Sequence, residues 1–330
     1  MKEIRLGTIG SGVIVKALLN QVAKTDGVRL TAVYSRSYDR AAELAAAYGA
    51  SRVFTDPEAF FQNPEMDCVY IASPNSLHYP QTKAALLAGK HVWCEKPFCT
   101  TAEQARELFD IARERNLMLA EAVPTAFYPN LQILRQHLPD IGRLRLVQGN
   151  YSQYSSRYDA LREGKPLPNV FSPEFGGGCL VDINYYNVAF AVSLFGEPVK
   201  AHYAANKFGP IDTSGVVLLE YPDFVCQCTG AKDTWGENIV QLQGEDGYIV
   251  ITGGSNGLTG IRLVTREGEE FSGEAAPFGR WREEMAALCR IVQSGDRADC
   301  ERRMEWTLAT MRTIDRLRAD AGIVFAADKQ

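Results

Sequence analysis

Strand-like and helix-like segments alternate without a break over the first 123 residues, and nothing else in the chain restricts its fold as much. EIRLGTIG (3–10) is a short apolar run. SGVIVKALLNQVAKT (11–25) follows with helical spacing that puts Leu18, Leu19 and Val22 on one face. VRLTAVYS (28–35), RVFT (52–55), MDCVYIAS (66–73), HVWCEK (91–96) and LMLAEAV (117–123) read as further strands. The helices between them are DRAAELAAAYG (39–49), DPEAFFQN (56–63), HYPQTKAALLAGK (78–90) and TAEQARELFDIARERN (101–116). Asp56 and Thr101 are placed to cap helix starts, Pro57 stands at a first helical position, and Gly49 is a stop. Strands separated by helices pair through right-handed crossovers, so this part predicts a doubly wound parallel sheet.

The texture changes after residue 123. A helix, YPNLQILRQHL (128–138), leads into strand-like runs separated by glycines and short turns, among them RLRLVQGNYSQY, SGVVLLEY, FVCQCTGAK and ENIVQLQGEDGYIVI. A loop over 163–178 and an apolar helix at about 179–195 interrupt them, and helices at about 279–295 and 299–321 close the chain. The expectation is an α/β dinucleotide-type domain over 1–123. Residues 124–330 are expected to form an α+β domain with a large, open-faced, mostly antiparallel sheet.

The 330 residues are 46% hydrophobic, enough for more than one core, and carry a net charge of −5. No basic block with interleaved aromatics argues for nucleic acid, and no apolar run reads as a bilayer span. The N-terminus enters the first strand with no signal-peptide pattern, which sets the expectation of a cytoplasmic protein. Eight cysteines without a C-x-x-C pair read as reduced, buried thiols, and no ligand spacing suggests a metal.

GTIGSGVIV carries the first chemistry. Gly10, Ser11 and Gly12 form a tight turn between strand and helix. With Val13 and Ile14 they offer backbone N–H groups at a helix start, which suits a pyrophosphate. Val15 stands where the third glycine of that fingerprint is expected, a change that alters helix–strand fit without blocking the anion site. At the second strand tip, Ser35 replaces the acid that would hold ribose hydroxyls, and Arg36, Ser37 and Arg40 follow. A cation with two hydroxyls suits a 2′-phosphate, so NADP is favoured, with NAD possible if Asp39 takes the acid's place and Arg36 is only solvated. S-adenosylmethionine wants an acid at that tip and is disfavoured.

GTIGSG, ASPNSLHYPQTKAALLAGKHVWCEKP (72–97) and GGGCLVDINYYNV (176–188) resemble the Gfo/Idh/MocA oxidoreductase family over nearly the whole chain. AEAVPTAFYP (120–129) is similar to its dimeric dihydrodiol dehydrogenase and NADP-linked D-xylose dehydrogenase branch. The resemblance implies a nicotinamide cofactor across the carboxyl ends of the parallel strands, a cis peptide before Pro97, and a homo-oligomer built on the open sheet. It implies a carbohydrate-like substrate oxidised or reduced at a carbinol or hemiacetal carbon. Ser73, Pro74, Asn75, His78, Glu95, Lys96 and Pro97 would border the nicotinamide end, though His78 reads equally as a packing residue at a helix start. Lys96 would hydrogen-bond the substrate oxygen and depress a neighbouring tyrosine's pKa; a structural ion pair is the alternative. Asp182 and Tyr186 are four apart, hence on one helix face. Tyr186 is read as proton donor or acceptor and Asp182 as a hydroxyl ligand. Tyr185 competes for that role, a plain core Tyr–Tyr pair is the other alternative, and Asn184 replaces a usual glycine. Thr125, Phe127 and Tyr128 resemble a pocket wall, and Tyr154, Arg157 and Tyr158 a substrate loop. Ala126 replaces the arginine of the dihydrodiol pattern, so that branch's substrate does not carry over. A trans-dihydrodiol or dicarbonyl substrate, and a non-catalytic dinucleotide sensor, are the competing readings.

Overall fold

The computed structural model describes residues 3–273 and 281–329. The chain divides into two compact units, Met1–Ala122 with Trp281–Leu308 and Val123–Arg280 with Ala309–Gln330.

The first unit is built on a six-stranded parallel sheet of β1 (Ile4–Ile9), β2 (Val28–Tyr34), β3 (Arg52–Phe54), β4 (Cys68–Ile71), β5 (His91–Glu95) and β6 (Leu119–Ala122). Its strand order is β3-β2-β1-β4-β5-β6, so the direction of winding reverses between β1 and β4. Helices α1 (Val13–Val22), α2 (Tyr38–Tyr48), α3 (Pro57–Phe61), α4 (His78–Leu87) and α5 (Ala102–Glu114) make the crossovers. Asp56 caps α3 by accepting from the N–H groups of Glu58 and Ala59, and Thr101 caps α5 by accepting from Gln104. Strands β4 and β5, in the middle of this sheet, are covered on both faces. Cys68, Val69, Tyr70 and Ile71 are fully buried, as are Val92 and Cys94, which is why β4 and β5 read as unbroken apolar runs.

The second unit carries an eight-stranded sheet. Its strands are β7 (Leu144–Ser152), β8 (Lys200–Phe208), β9 (Ile211–Glu220), β10 (Val225–Ala231), β11 (Ile239–Gly244), β12 (Gly247–Thr252), β13 (Gly260–Thr265) and β14 (Gly268–Ser272), in the order β14-β13-β12-β11-β7-β10-β9-β8. Every pairing is antiparallel except β7 with β10. Helices α6 (Pro129–His137), α7 (Ser156–Arg162), α8 (Tyr185–Phe195) and the single turn α9 (Gly254–Gly257) belong to this unit. One sheet face is core: Val147, Val217, Leu219, Cys226, Cys228, Val240 and Leu242 are buried. The other face leaves Leu146, Val216 and Leu218 between 38% and 43% exposed, and this is the open face read as the contact with a second copy.

The chain then continues into α10 (Trp281–Ser294) and α11 (Arg297–Asp320). Together with the start of α11, α10 completes the first unit, where a cut near residue 123 alone would place both helices in the second. Gln293 donates to the Gly27 carbonyl at 2.9 Å, and Arg113 pairs with Glu301 and Glu305.

Helix α8 is the core element of the second unit. Every residue from Tyr185 to Val192 is buried. The apolar run Pro173–Phe195 is long and apolar enough to cross a membrane by composition, yet 78% of its apolar 18-residue window lies inside the fold. A π-helical turn, Leu180–Asn184, leads into α8. It is pinned at its start by Asp212, 1% exposed, which accepts from the Leu180 N–H (2.6 Å) and the Tyr203 hydroxyl (2.8 Å). Gly178 (φ 127°) lies so close that any side chain would strike the Asp212 carboxylate. Asn184 and Asn187 pin the other end, donating to the carbonyls of Cys228 (3.1 Å) and Thr229 (2.9 Å) on β10.

Asp212→Ala leaves a buried N–H and a buried phenol without their acceptor. The expected loss is on the order of 2–5 kcal/mol of stability, seen as a lowered thermal midpoint, with Asp212→Asn intermediate. An unchanged midpoint in the alanine variant refutes the anchoring role.

Candidate functional site

The carboxyl edge of the parallel sheet gathers three loops, after β1, β4 and β5. Gly10 follows β1 at φ 110°, and an added Cβ would sit 2.6 Å from the Ala72 carbonyl oxygen, so the turn admits only glycine. Gly12 is the N-cap of α1 with no side chain capping the helix, and a Cβ there meets nothing within 4 Å. Val13 is 83% exposed and Ile14 is partly exposed, so the first turn of α1 opens to solvent with its N–H groups. Val15 is fully buried and its methyl packs against the Gly10 backbone; the departure from glycine is absorbed in the core behind the turn. This cradle of backbone amides fits a pyrophosphate.

At the tip of β2 the Ser35 hydroxyl accepts from the Ser37 N–H at 3.2 Å, shaping the turn into α2. Arg36 and Arg40 are exposed, and among the described residues neither has a hydrogen-bond or ion-pair partner. Asp39 sits exposed in the first turn of α2.

After β4, the Ser73 hydroxyl donates to Gln81 at 2.7 Å and Pro74 leads into a 3-10 turn, Asn75–Leu77. His78 is 1% exposed, and its two ring nitrogens lie 2.9 Å from the carbonyl oxygens of Pro97 and Ser73. It thus ties the loop after β4 to the loop after β5. Burial lowers its pKa below 6.5, outweighing the two carbonyls that favour the charged ring, and the nearby Lys96 charge adds to the lowering.

Glu95, Lys96 and Pro97 follow β5, with the Lys96–Pro97 peptide cis as the resemblance implies. Glu95 is buried and accepts from the Tyr70 hydroxyl (2.5 Å) and the Lys96 N–H (3.3 Å). Burial, with the Glu95 charge beside it, pushes the Tyr70 phenol well above its ordinary value and keeps it a donor. A second buried carboxylate, Glu121 on β6, accepts from the Phe98 N–H (3.1 Å) and the Thr307 hydroxyl (2.9 Å).

In the second unit, Asp182 lies in the π turn and Tyr186 in the first turn of α8 beyond it. Tyr186 is 6% exposed and meets Tyr151 edge-on at 5.6 Å. The competing Tyr185 is fully buried with its hydroxyl toward Met311, which is a core environment. Asp182 pairs with Lys232, whose ammonium also lies 5.6 Å over the Phe171 ring. Sequence reasoning missed Lys232. The available signal is a cation placed one residue past a strand, as Lys96 is.

Thr125 and Tyr128 donate to the carbonyls of Ser255 (2.8 Å) and Asn256 (3.2 Å), so they hold the loop around α9; Phe127 is half-buried beside them. Tyr154 donates to Asp159 at 2.7 Å and stacks on Trp235, which is 76% exposed. Arg157 and Tyr158 sit on a short helix, α7, rather than on a loop, and Arg157 is exposed. A cavity of about 590 Å³ opens between Tyr128, Tyr151, Gln153, Trp235, Asn238 and Asn256. Among the described residues, no group of three or more His, Cys, Asp or Glu side chains is placed to hold a metal, and all eight cysteines are free and buried.

Residues 4–123 match the Gfo/Idh/MocA oxidoreductase family with an NAD-binding Rossmann fold, and residues 139–250 match that family's C-terminal domain. The chain is 36% identical over 329 residues to scyllo-inositol 2-dehydrogenase (NADP(+)) IolU of Bacillus subtilis, covering 99% of both proteins. It is 27% identical to D-xylose 1-dehydrogenase (NADP(+)) 2 of Haloferax volcanii, covering 96% of both. Its structure is similar to that of KijD10, a 3-ketoreductase from Actinomadura kijaniata in complex with NADP and TDP-benzene, at a TM-score of 0.85 and 25% identity over 97% of this chain and 98% of that one. With its glycine cradle, its Glu-Lys-Pro loop and these matches along its length, the chain belongs to the Gfo/Idh/MocA family of nicotinamide-dependent oxidoreductases.

Proposed function

We propose that the protein oxidises a secondary alcohol or hemiacetal of a sugar or cyclic polyol, or reduces the corresponding carbonyl, with NADP(H). The observation that carries this reading is the reversal of strand order between β1 and β4. It sets the Gly10–Gly12 cradle beside the Ser73–Asn75 loop, with Lys96 one strand further on, where an open parallel sheet binds its ligand. The full-length likeness to NADP-linked inositol and xylose dehydrogenases supports the substrate class.

A bound nicotinamide supplies or accepts the hydride; the chain's own residues hold the cofactor and manage the substrate's proton. Gly10, Ser11, Gly12, Val13 and Ile14 hold the pyrophosphate on backbone amides. Arg36 and Arg40, exposed and without protein partners among the described residues, hold the 2′-phosphate with the Ser35 and Ser37 hydroxyls. Ser73, Pro74, Asn75, Glu95 and Pro97 form the nicotinamide end. His78 acts there as a buried ring between the two loops, whose neutral form donates to one of the Pro97 and Ser73 carbonyls, rather than by touching the ribose. Lys96 donates to the reacting oxygen and Tyr186 gives or takes its proton. Asp182 accepts from a substrate hydroxyl, while Thr125, Phe127, Tyr128 and Tyr154 shape the wall.

Lys96→Ala and Tyr186→Phe should each lower kcat about 10²- to 10⁴-fold while NADP binding, read by fluorescence quenching, stays near wild type. The measurement is reduced-nicotinamide absorbance against a panel of aldoses, inositols and vicinal diols. Wild-type rates in the Lys96 variant remove the assignment, and cofactor binding without turnover on the whole panel favours a dinucleotide sensor. Arg36→Ala should raise KM for NADP about 10- to 100-fold, the worth of one charge-assisted hydrogen bond, and leave KM for NAD nearly unchanged. A parallel rise for both cofactors would instead mean a general fold defect.

His78 has a folded pKa below its unfolded one, so folding favours the neutral ring. Its contribution to stability is present above the ordinary value of 6.5 and is lost as pH falls through the lowered folded value. Denaturation midpoints of His78→Gln should therefore fall less steeply than wild type from about pH 7 to 5. Parallel curves refute the burial of a neutral imidazole.

A further inference from the structure

Lys232 poses a problem that neither the fold nor the proposed proton chemistry solves. Its side chain is 9% exposed, and a lysine is rarely taken that far out of water without a task. Its own backbone is committed: the N–H donates to the Thr213 carbonyl at 2.8 Å, and the carbonyl accepts from the Ser155 N–H at 2.9 Å. Its ammonium is held over the Phe171 ring and against Asp182. Two other acids of the same cluster are already engaged. Asp212 is taken by the Leu180 N–H and the Tyr203 hydroxyl, and Asp233 by the hydroxyls of Thr213 (2.7 Å) and Ser214 (2.9 Å). Lys232 is therefore directed to Asp182 alone of the three.

A pair of this kind is a poor stabiliser, because removing both charges from water costs about as much as their attraction returns. It does make a recognition element. The Asp182 side chain keeps 30% of its surface exposed and that of Lys232 keeps 9%, so the pair is packed on the Phe171 side and opens to solvent mainly at the carboxylate. It presents a carboxylate acceptor and an ammonium donor side by side, one hydrogen bond apart. Two hydroxyls on adjacent carbons present the complementary set: one donates to the carboxylate while its neighbour accepts from the ammonium. The π turn pinned at Leu180 by Asp212 and at Asn184 by β10 fixes the acid half, and the end of β10 fixes the base half.

We infer that Lys232, with Asp182, forms the donor–acceptor couple that holds a vicinal diol of the substrate. Lys232 is thus a specificity-determining residue. This rests on the polyol reading above and adds a residue to it. A site built to bond a hydroxyl rejects the analogue that lacks it, because the buried polar groups are then left without a partner.

The test measures kcat and KM for scyllo-inositol and for a deoxyinositol, with NADP(H) saturating, in wild type, Lys232→Met and Lys232→Arg. The expected result is a KM for scyllo-inositol raised about tenfold or more in the methionine variant with kcat largely kept. Its preference for scyllo-inositol over the deoxy compound should collapse, and arginine should restore part of both. Wild-type KM and preference in Lys232→Met overturn the inference while leaving the polyol reading intact. A fall in kcat at unchanged KM also overturns it, by assigning Lys232 to the chemical step. If wild type turns over neither inositol nor any other member of the panel, the polyol reading itself fails and the inference with it. Should the methionine variant not fold by circular dichroism, Asp182→Asn read against Lys232→Arg decides the matter: unchanged preference in both overturns the inference.

Discussion

A carboxylate taken out of water must be met by donors, and in the first unit two such carboxylates are met by one short loop. Glu95 receives the Tyr70 hydroxyl and the Lys96 N–H, and Glu121 receives the Phe98 N–H and the Thr307 hydroxyl. An unmet charge in that environment would cost several kcal/mol, so the loop is held wherever the donors are. Lys96 and Pro97 lie between these two anchors, and His78 adds a third through the Pro97 carbonyl. The backbone that carries Lys96, the residue proposed for the substrate oxygen, is therefore held by Glu95, Glu121 and His78.

The second unit uses the same device on a helix. A π turn is a rare and strained way to enter a helix, found often where function needs a side chain re-aimed. Here it is held at both ends by buried polar groups, Asp212 before it and Asn184 within it, with Gly178 and Gly230 small enough to let them approach. Asn184 stands where the family pattern carries glycine, and its amide is what fastens the turn to β10. In the first unit Val15 departs from the glycine fingerprint in a similar way, filling the core behind the Gly10 turn and leaving its solvent side open.

Much of this architecture is legible in the order of residues alone. Apolar runs of four to eight residues, the Asp56 and Thr101 caps and the glycine turn after β1 are local signals, since backbone preference and periodicity act within a few residues. They set the parallel sheet of the first unit, and the family pattern marks Lys96, Asp182 and Tyr186. Tertiary structure decides what depends on distant partners. Trp281–Leu308 joins the first unit because of bonds such as Gln293 to Gly27, across 266 residues. Parallel pairing of β7 with β10 follows from a crossover of more than seventy residues, and alternation within a strand carries no sign of a neighbour's direction. Thr125 and Tyr128 resemble a pocket wall in the sequence, and the fold engages both hydroxyls with the loop around α9. Lys232 meets Asp182 across 50 residues, and no local pattern connects them. Sequence determined which elements form and which residue types stand at strand ends; only the fold decided which of those side chains meet, because burial and charge pairing are properties of space rather than of order along the chain.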